Sequence, residues 1–266
     1  MQNGPYIAER LMPKIIAEYC EQANIEFQSF SHEWVLRLTK GDITRWVVGY
    51  TFDVNRAAAG ELARDKVAAY DALQAAGVAA APHYLVRSLP KELIHDQELH
   101  QRLHATPVVA KPLDGTGGRD VHHFSTVDEA LTMIRKSGEP AWALSPYFEL
   151  QAEYRFIMLD NELLLAYEKT QPTSRGQLKL FNLGYGAVAK DISEALMQKL
   201  LPAARQVMRA MALRLAAVDM VKLADGTYIV LEVNGGITME HYARQSDVNK
   251  SRASDVYSKI VKALLH

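Results

Sequence analysis

Hydrophobic and polar positions in the first 56 residues predict a helix followed by short antiparallel strands. Apolar residues recur at helical spacing from Ile7 to Ala23, and strand-like alternation follows at Ile25 to Phe30 and at Glu33 to Leu38. The turn Lys40-Gly41-Asp42 leads into a further strand pattern, Thr44 to Tyr50, which completes a β-hairpin. The chain is therefore expected to begin with a small α/β segment.

An alanine-rich run from Asn55 to Ala76 predicts one long helix or two consecutive helices, and Gly77 can end a helix with positive φ. Thr126 and Glu129 have the spacing of a helix capping box. The elements predicted after Gly77 are a strand at His83 to Val86, a helix near Lys91 to Leu103, a strand at Pro107 to Lys111, a glycine-rich loop at Asp114 to Gly118 and a helix at Thr126 to Lys136.

The second half of the chain has the pattern of a sheet with covering helices. Its predicted elements are strands at Trp142 to Phe148, Tyr154 to Leu159 and Leu163 to Lys169, a polar loop at Thr170 to Gly176, a helix at Ser193 to Leu215, strands at Ala217 to Leu223 and Tyr228 to Val233, and a helix at Ser254 to Leu265. Helices and antiparallel strands together predict an α+β fold.

Composition narrows the range of partners. With 266 residues, of which 48% are hydrophobic, the chain can bury a core in one domain of two lobes or in two small domains. Lys plus Arg number 30 against 31 Asp plus Glu, so no net field attracts nucleic acid or an anionic membrane. No signal-like segment or membrane-spanning stretch is recognised, and Cys20, the single cysteine, cannot form an internal disulfide. We expect a cytoplasmic protein without nucleic-acid or membrane partners.

Three oxygen-bearing residues on two adjoining predicted strands form a candidate metal site. Asp219 lies on the first strand, and alternation with period two places Glu232 and Asn234 on one face of the second, with Val233 on the other. Carboxylate and amide oxygens are the hard ligands that magnesium prefers. A Glu-Val-Asn sequence alone more often marks the solvated side of an edge strand. The metal hypothesis therefore depends on the basic residues and the glycine-rich loop described next.

A lysine followed by a glycine-rich loop forms a candidate phosphate site. Lys111 ends an apolar strand, and Gly115, Thr116, Gly117 and Gly118 follow in a loop whose backbone amides can turn toward an anion. The loop lacks the Gly-Lys-Ser/Thr ending of a P-loop and the first-strand position of a dinucleotide fingerprint. A glycine-rich hairpin without a ligand is the alternative.

Three further charged residues are candidates for binding phosphate or substrate. Arg155 alternates with Glu153 on one strand and Lys169 ends the next, so Arg155 and Lys169 can both reach a site at that end of the sheet. Lys66 lies early in a predicted helix. Arginine suits bidentate capture of an anion and lysine a point contact, although each of these residues alone is more often a surface charge.

Histidine, serine and cysteine positions give no comparable signal. His122, His123 and His241 lack the spacing and partners of a zinc site. Ser174 lies outside a nucleophile-elbow pattern, and Cys20 lies far along the chain from the other candidates. Covalent nucleophilic catalysis is therefore not supported.

The order of these pieces resembles the ATP-grasp superfamily, and it looks closest to the branch that holds the ribosomal-protein glutamate ligases and the D-alanine-D-alanine ligases. The residues that carry the resemblance are Asp65-Lys66, Lys111-Pro112 with Gly115 to Gly118, Glu153-Tyr154-Arg155, Lys169, Asn182-Leu183-Gly184 and Leu231-Glu232-Val233-Asn234. The resemblance covers roughly Ala63 to Gln245. It implies a small amino-terminal segment, residues 1–62, and an ATP-grasp domain, residues 63–266, whose lobes at about 63–145 and 146–266 hold ATP between them.

The resemblance also implies residue roles. Two lysines and the glycine-rich loop would hold and cover the ATP phosphates, Ser145 to Phe148 would present backbone groups to adenine, and an acidic residue would bind the ribose hydroxyls, with Glu149 able to compete for that last role. The implied nucleotide-binding residues are Lys66, Lys111, Gly115, Thr116, Gly117, Gly118, Tyr147, Phe148 and Glu153. The implied catalytic residues are Arg155, Lys169 and Asn182, and the implied metal ligands are Asp219, Glu232 and Asn234.

The activity implied by the resemblance is ATP- and Mg²⁺-dependent ligation of a carboxylate to an amine through an acyl phosphate, with Mn²⁺ as an alternative metal. The substrates would be small molecules or peptides. The segment before Lys66 is shorter than is usual in the superfamily, so another subunit, as in a homodimer, could complete the carboxylate site. An ATP-grasp phosphotransferase and a nucleotide-binding protein without ligase activity are the alternatives, and the second is disfavoured because both lysines and all three metal ligands are present.

Overall fold

The structure is a computed structural model, and it describes residues 9–87, 96–103, 106–113, 115, 118 and 120–266. In chain order the helices of these residues are α1 (Leu11–Gln22), α2 (Ala57–Arg64), α3 (Lys66–Ala75), α4 (Asp96–Arg102), α5 (Val127–Lys136), α6 (Glu194–Ala210), α7 (Glu240–Ala243) and α8 (Asp247–Leu264), with a short 3-10 helix at Leu183–Tyr185. None of the described helices is long and apolar enough to cross a membrane.

The strands of the described residues come mostly in runs between these helices. They are β1 (Glu26–Phe30), β2 (Val35–Lys40), β3 (Ile43–Val48), β4 (Thr51–Phe52), β5 (Tyr84–Arg87), β6 (Val108–Pro112), β7 (His122–Phe124), β8 (Ala141–Pro146), β9 (Leu150–Leu159), β10 (Glu162–Thr170), β11 (Thr173–Arg175), β12 (Leu178–Leu180), β13 (Val188–Lys190), β14 (Leu215–Leu223) and β15 (Tyr228–Asn234). The predicted α+β class is confirmed.

Most predicted elements are present with shifted ends. The alanine-rich run forms two consecutive helices because Asp65 lies between them, where its carboxylate accepts hydrogen bonds from the amides of Val67 and Ala68 and caps α3. The predicted capping by Thr126 is confirmed, since its hydroxyl accepts from the amide of Glu129 at 3.2 Å. Part of the helix predicted near Lys91, at residues 91–95, lies outside the described residues.

Three predictions of element boundaries are wrong. The segment Thr170 to Gly176, predicted as loop, contains β11, which pairs with β12 in a small antiparallel hairpin. The helix predicted to extend to Leu215 ends at Ala210, and Ala212 takes a positive φ of 50° before β14 begins. The last helix begins at Asp247, seven residues before the predicted start at Ser254, because Ser246 supplies its N-cap.

The chain contains two compact units, Met1–Arg56 with Gly236–His266 and Ala57–Gly235. The predicted division at residues 62 and 63 stays a prediction. In the first unit, β1, β2, β3 and β4 form an antiparallel sheet in that order, and α1 contacts both α7 and α8. Leu36 and Leu38 are fully buried on one face of this sheet, whereas Trp46 is exposed.

The second unit contains two larger sheets and a separate two-stranded hairpin. One sheet has the order β5-β8-β6-β7, and its core face includes Ala110 and Leu144 together with residues of α5. The other has the order β13-β10-β9-β14-β15, and its core face includes Tyr154 and Val218 together with residues of α2, α3 and α6. Because side chains alternate along a strand, each sheet has an opposite face that is free of this core packing.

Candidate functional site

A row of charged and polar residues crosses the five-stranded sheet on the face opposite its core. Arg155 on β9 lies between Tyr167 on β10 and Asp219 on β14, and Asp219 lies opposite Glu232 on β15. The guanidinium of Arg155 forms a bidentate ion pair with the Asp219 carboxylate. Its Nε donates to Oδ1 at 2.8 Å and its Nη2 donates to Oδ2 at 2.6 Å. These groups meet because they lie at paired positions on neighbouring antiparallel strands, with a register shift between Asp219 and Met220 that brings Glu232 opposite Asp219.

Lys169 and Glu153, the next pair along β10 and β9 on the same face, complete the cluster. Lys169 on β10 lies opposite Glu153 on β9, and the two side chains form a short ion pair. The Lys169 ammonium also lies 3.0 Å from Oδ1 of Asp219. Lys169, Glu153 and Asp219 are all buried, so each charge depends on its partners for stability.

Burial and neighbouring charges shift the pKa values of the two carboxylates, Asp219 and Glu153, in opposite directions. Burial would raise the pKa of Asp219, but Arg155 and Lys169 lower it to about 2. Burial raises the pKa of Glu153, and Asp219 raises it further, against the opposing effect of Lys169. The arrangement therefore holds Asp219 firmly ionised, whereas Glu153 is the carboxylate that takes up a proton more readily.

The oxygen ligands predicted for a metal lie next to one another. Glu232 faces Asp219 across the strand pair, and the Asn234 amide nitrogen lies 3.5 Å from Oδ2 of Asp219. Among the described residues no group of three or more His, Cys, Asp or Glu side chains is arranged to hold a metal, so an ion here would need the Asn234 amide oxygen beside the two carboxylates. This donor set fits magnesium, provided that Asp219 exchanges its cationic partners for the ion.

Lys66 approaches Glu232 from the start of α3. Asp65 caps this helix and leaves the Lys66 side chain, which is only 7% exposed, directed to the loop after β6. Its ammonium donates to the carbonyl oxygens of Leu113 at 3.1 Å and Gly115 at 2.7 Å, and it lies 3.9 Å from a carboxylate oxygen of Glu232. Lys66 thus links the glycine-rich loop to a proposed metal ligand.

Lys111 lies on the non-core face of the four-stranded sheet, since its neighbour Ala110 belongs to the core. Burial lowers the pKa of Lys111, and the Lys66 ammonium lowers it further, while Glu232 and Glu153 raise it. Lys111 thus interacts electrostatically with both acidic residues and with Lys66, the other predicted phosphate lysine. An anion bound there would stabilise both ammonium groups.

The predicted adenine segment follows β8. The amide of Tyr147 donates to the carbonyl of Pro107 at 2.8 Å, and its hydroxyl donates to the carbonyl of Gln177 at 3.0 Å. The Tyr147 ring meets the ring of His123 edge to face, with centroids 4.8 Å apart. Phe148 is half-buried next to it. The segment is fixed by its backbone and ring contacts, and its role toward a base stays a prediction.

Asn182 and the glycine-rich loop lie against each other. The Asn182 side chain accepts a hydrogen bond from the amide of Gly184 at 2.7 Å and so shapes a tight turn. Gly118 has a positive φ of 71°, and a β-carbon there would lie 3.6 Å from the Asn182 amide nitrogen. Thr116 and Gly117 lie outside the described residues.

The predicted residues therefore form two linked groups and two separate ones. Glu153, Arg155, Lys169, Asp219 and Asn234 make the charged cluster, which Lys66, Lys111 and Glu232 join through their charges. The predicted adenine segment, Ser145 to Phe148, and the Asn182 turn make the contacts given above with residues outside that cluster. Glu149, weighed against Glu153 for the ribose role, is exposed and lies 4.0 Å from Lys179 at its nearest.

Sequence reasoning missed two buried residues of this region, Tyr167 and His83. Tyr167 alternates with Lys169 on β10 and is fully buried opposite Arg155, so period-two alternation could have found it. His83 is buried just before β5, and both Lys111 and Lys66 lower its pKa. A lone histidine carries no spacing signal, so only the three-dimensional arrangement reveals it.

Comparison with known proteins gives a family and a fold. Residues 63–258 match the family model of the RimK-like ATP-grasp domain. No protein with a curated description matches the sequence at a significant level.

Several solved structures share the fold at low sequence identity. The D-alanine-D-alanine ligase of Bacillus anthracis, also solved in complex with ATP, superposes with a TM-score of 0.59 at 18% identity over 79% of this chain and 68% of its own. D-cycloserine synthetase DcsG gives 0.57 at 22% identity over 75% and 71%. The ATP-grasp ligase PsnB, solved with a minimal precursor, gives 0.53 at 14% identity over 77% and 63%, so this chain spans less than two thirds of that protein.

Proposed function

Because this chain belongs to the RimK-like ATP-grasp family, we propose that it is an ATP- and Mg²⁺-dependent ligase that joins a carboxylate to an amine. The family is related to ATP-dependent carboxylate-amine ligases, and structures of similar proteins were solved with Mg and ADP or with a precursor peptide and AMPPNP. Amino acids and peptides are accordingly the substrate classes proposed here.

The observation that carries the proposal is the charged cluster on the sheet face. Lys66, Lys111, Lys169 and Arg155 supply four cationic groups, and Asp219 and Glu232 supply carboxylates that face one another across β14 and β15. A polyphosphate needs the first kind of group, and a divalent ion bound to it needs the second. Neither an ordinary solvated surface nor a hydrophobic ligand would require this buried combination.

The proposed reaction has two steps. An oxygen of the substrate carboxylate attacks the γ-phosphorus of ATP, the bond to the bridging oxygen breaks, and ADP leaves with that electron pair. The amine nitrogen then attacks the carbonyl carbon of the acyl phosphate, phosphate leaves with the C–O bonding pair, and the nitrogen loses a proton. No covalent bond to the protein is needed, which agrees with the lack of an obvious nucleophile.

The proposed residue roles follow from charge and position. Lys66 and Lys111 bind ATP phosphates, Lys169 and Arg155 neutralise charge that develops during phosphoryl transfer, and Glu153 binds the ribose. Asp219, Glu232 and Asn234 are the proposed ligands of magnesium, which when bound would neutralise phosphate oxygens. Positioning and electrostatic stabilisation supply the catalysis in such a scheme.

The backbone-rich segments have proposed roles as well. Gly115 and Gly118, with Thr116 and Gly117, belong to the loop proposed to cover the phosphates. Tyr147 and Phe148 present the adenine-binding backbone, and Asn182 contacts the acyl phosphate.

The experiment that tests the proposal is ATP consumption by the purified protein with Mg²⁺ across a panel of amino acids and short peptides. ADP and phosphate together with a product of amide mass support the ligase, and Glu232→Gln should abolish that turnover. AMP with pyrophosphate would show that the protein adenylates its substrate and is not the proposed ligase. A phosphorylated acceptor without an amide would show that it is a phosphotransferase. Bound but unconsumed ATP would indicate a nucleotide-binding protein without ligase activity.

A further inference from the structure

His83 is a buried histidine beside the two lysines proposed to bind phosphate. It is 4% exposed and directly precedes β5, where continuing the β5–β8 register by one residue places it opposite Ser145. Its Nδ1 lies 2.9 Å from the carbonyl oxygen of Ala81. Because a carbonyl only accepts hydrogen bonds, Nδ1 carries the proton of the neutral ring and Nε2 presents a lone pair.

The Nε2 atom is buried and has no hydrogen-bond partner among the residues that the structure describes. A buried acceptor in this condition is unusual in folded proteins and calls for a donor. The ring is held neutral, because burial lowers the pKa of His83 well below its ordinary value and the ammonium groups of Lys111 and Lys66 lower it further.

Lys66 has one hydrogen-bond donor beyond the two that it gives to backbone carbonyls. An ammonium group carries three N–H donors, and Lys66 gives two of its donors to the carbonyls of Leu113 and Gly115. The nearest carboxylate oxygen of Glu232, at 3.9 Å, is beyond hydrogen-bond distance from Lys66. Glu153, which interacts with Lys111 electrostatically, is already bonded to Lys169.

A small cavity is shared by Lys66, His83 and Glu232. It has a volume of about 20 Å³, and the rest of its lining is mainly apolar, including residues of α3 and β15. A cavity of this size with these polar side chains in its lining has room for one water molecule that bridges the Lys66 ammonium group and the imidazole nitrogen.

We propose that His83 is a positioning residue whose neutral Nε2 accepts a hydrogen bond from the Lys66 ammonium, directly or through one water, and so orients this proposed phosphate-binding lysine without reducing its positive charge. A carboxylate at this position would also accept, but its negative charge would compete with the nucleotide's phosphates for the same ammonium group. A neutral imidazole supplies a hydrogen-bond acceptor without adding a negative charge. This inference rests on the proposed function, because it assumes that Lys66 binds phosphate.

The test measures the affinity of the full chain for ATP, ADP and adenosine by calorimetry, with wild type, His83→Leu and His83→Gln. Leucine removes the acceptor, so we expect the Kd for ATP and for ADP to rise about tenfold, as for the loss of one hydrogen bond to a charged group. Adenosine has no phosphate, and its affinity should not change. Glutamine restores an uncharged acceptor and should recover most of the ATP affinity.

Two further variants keep the result decisive. His122→Leu replaces an exposed histidine of β7 and should bind ATP like wild type. His83→Asp keeps an acceptor but adds charge beside the lysines, so it should fold and still bind ATP more weakly than His83→Gln. This arm also decides the matter if His83→Leu does not fold.

The outcomes separate this inference from the proposed function. Unchanged ATP affinity in His83→Leu, or wild-type ATP affinity in His83→Asp, would overturn the role of His83. An equal loss of adenosine binding would also overturn it, because His83 would then act on the nucleoside. If the wild-type protein binds neither ATP nor ADP, the proposed function itself fails.

Discussion

Arg155 holds Asp219 by both carboxylate oxygens, and these are the oxygens that a metal ligand would offer. The two contacts are 2.8 and 2.6 Å, and the Asp219 side chain is only 4% exposed. A divalent cation at Asp219 therefore competes with the guanidinium for the same atoms. Metal binding would free Arg155 for another anion, which in the proposed reaction is a phosphate group.

Replacing Arg155 by methionine should weaken the fold and strengthen metal binding. Removal of one partner from a buried ion pair generally costs about 3–5 kcal/mol, and here the remaining contact of Lys169 with Asp219 should keep the loss near the lower end. Urea unfolding would measure it. Titration with Mn²⁺ in the absence of nucleotide should give a lower Kd than for wild type, because Asp219 no longer has a bidentate competitor.

Arg214 offers a matched control for that experiment. It binds Asp160 with the same two-pronged geometry, at 2.7 and 2.9 Å, but both side chains are about half exposed. Arg214→Met should cost less than about 1 kcal/mol, as exposed pairs do, and leave the Mn²⁺ affinity unchanged. Equal stability losses and equal Mn²⁺ affinities for the two variants would argue against competition at Asp219.

Glu232→Gln should impair metal binding while the fold persists. The side chain is 30% exposed, and glutamine keeps its shape while removing the charge. We expect the Mn²⁺ affinity measured with ATP present to fall by more than the roughly 10–100-fold typical of an outer-shell partner. Thermal unfolding without ligands should be close to that of wild type. A variant that loses its fold, or one that binds Mn²⁺ normally, would remove Glu232 from the ligand set.

Lys111→Met should weaken nucleotide binding without weakening the fold. The lowered pKa of Lys111 means that the folded protein disfavours its charged form. A neutral side chain of similar length should therefore leave the free energy of unfolding equal or higher, while the Kd for ATP rises about tenfold or more through loss of a charged hydrogen-bond donor. Lys136→Met, at an exposed position of α5, is the control and should change neither quantity. Unaltered ATP affinity in Lys111→Met would contradict the assignment.

Cys20 should be unreactive in the folded protein. It is fully buried, and burial raises the pKa of its thiol to about 11. A raised pKa means that the thiol contributes stability below its ordinary pKa near 9 and loses that contribution as the pH rises toward 11. Labelling with a thiol reagent at pH 8 should therefore proceed only as fast as the protein opens, and should become rapid in denaturant. Rapid labelling of the native protein would contradict the burial.

The sequence predicted those parts of the site that depend on local periodicity. Glu153 and Arg155 had to share a face because they are two residues apart on a strand. The hairpin brings Asp219 close to Glu232, but their direct pairing depends on a register shift between Asp219 and Met220 that periodicity does not predict. The roles of Lys66 and Lys111 came from the order of motifs and not from periodicity.

Contacts between residues far apart in sequence could not be predicted in the same way. The 3.9 Å approach of Lys66 to Glu232 depends on how α3 packs against β15. The role proposed for His83 depends on Lys66, which lines the same small cavity from a different element. The boundary errors at β11 and α8 have a local cause, since the β11–β12 pairing and the Ser246 cap outweighed the polar composition that suggested a loop or a later start.

The first unit is assembled from both ends of the chain, and Glu240 shows what this means for folding during synthesis. Its carboxylate, 1% exposed, accepts hydrogen bonds from the amides of Leu11 at 2.8 Å and Met12 at 3.0 Å, and thereby caps α1. A ribosome makes α1 first and Glu240 more than two hundred residues later. Residues 57–235 can fold in the interval. The amides at the start of α1 therefore gain these hydrogen bonds only after a segment more than two hundred residues further along the chain has been made.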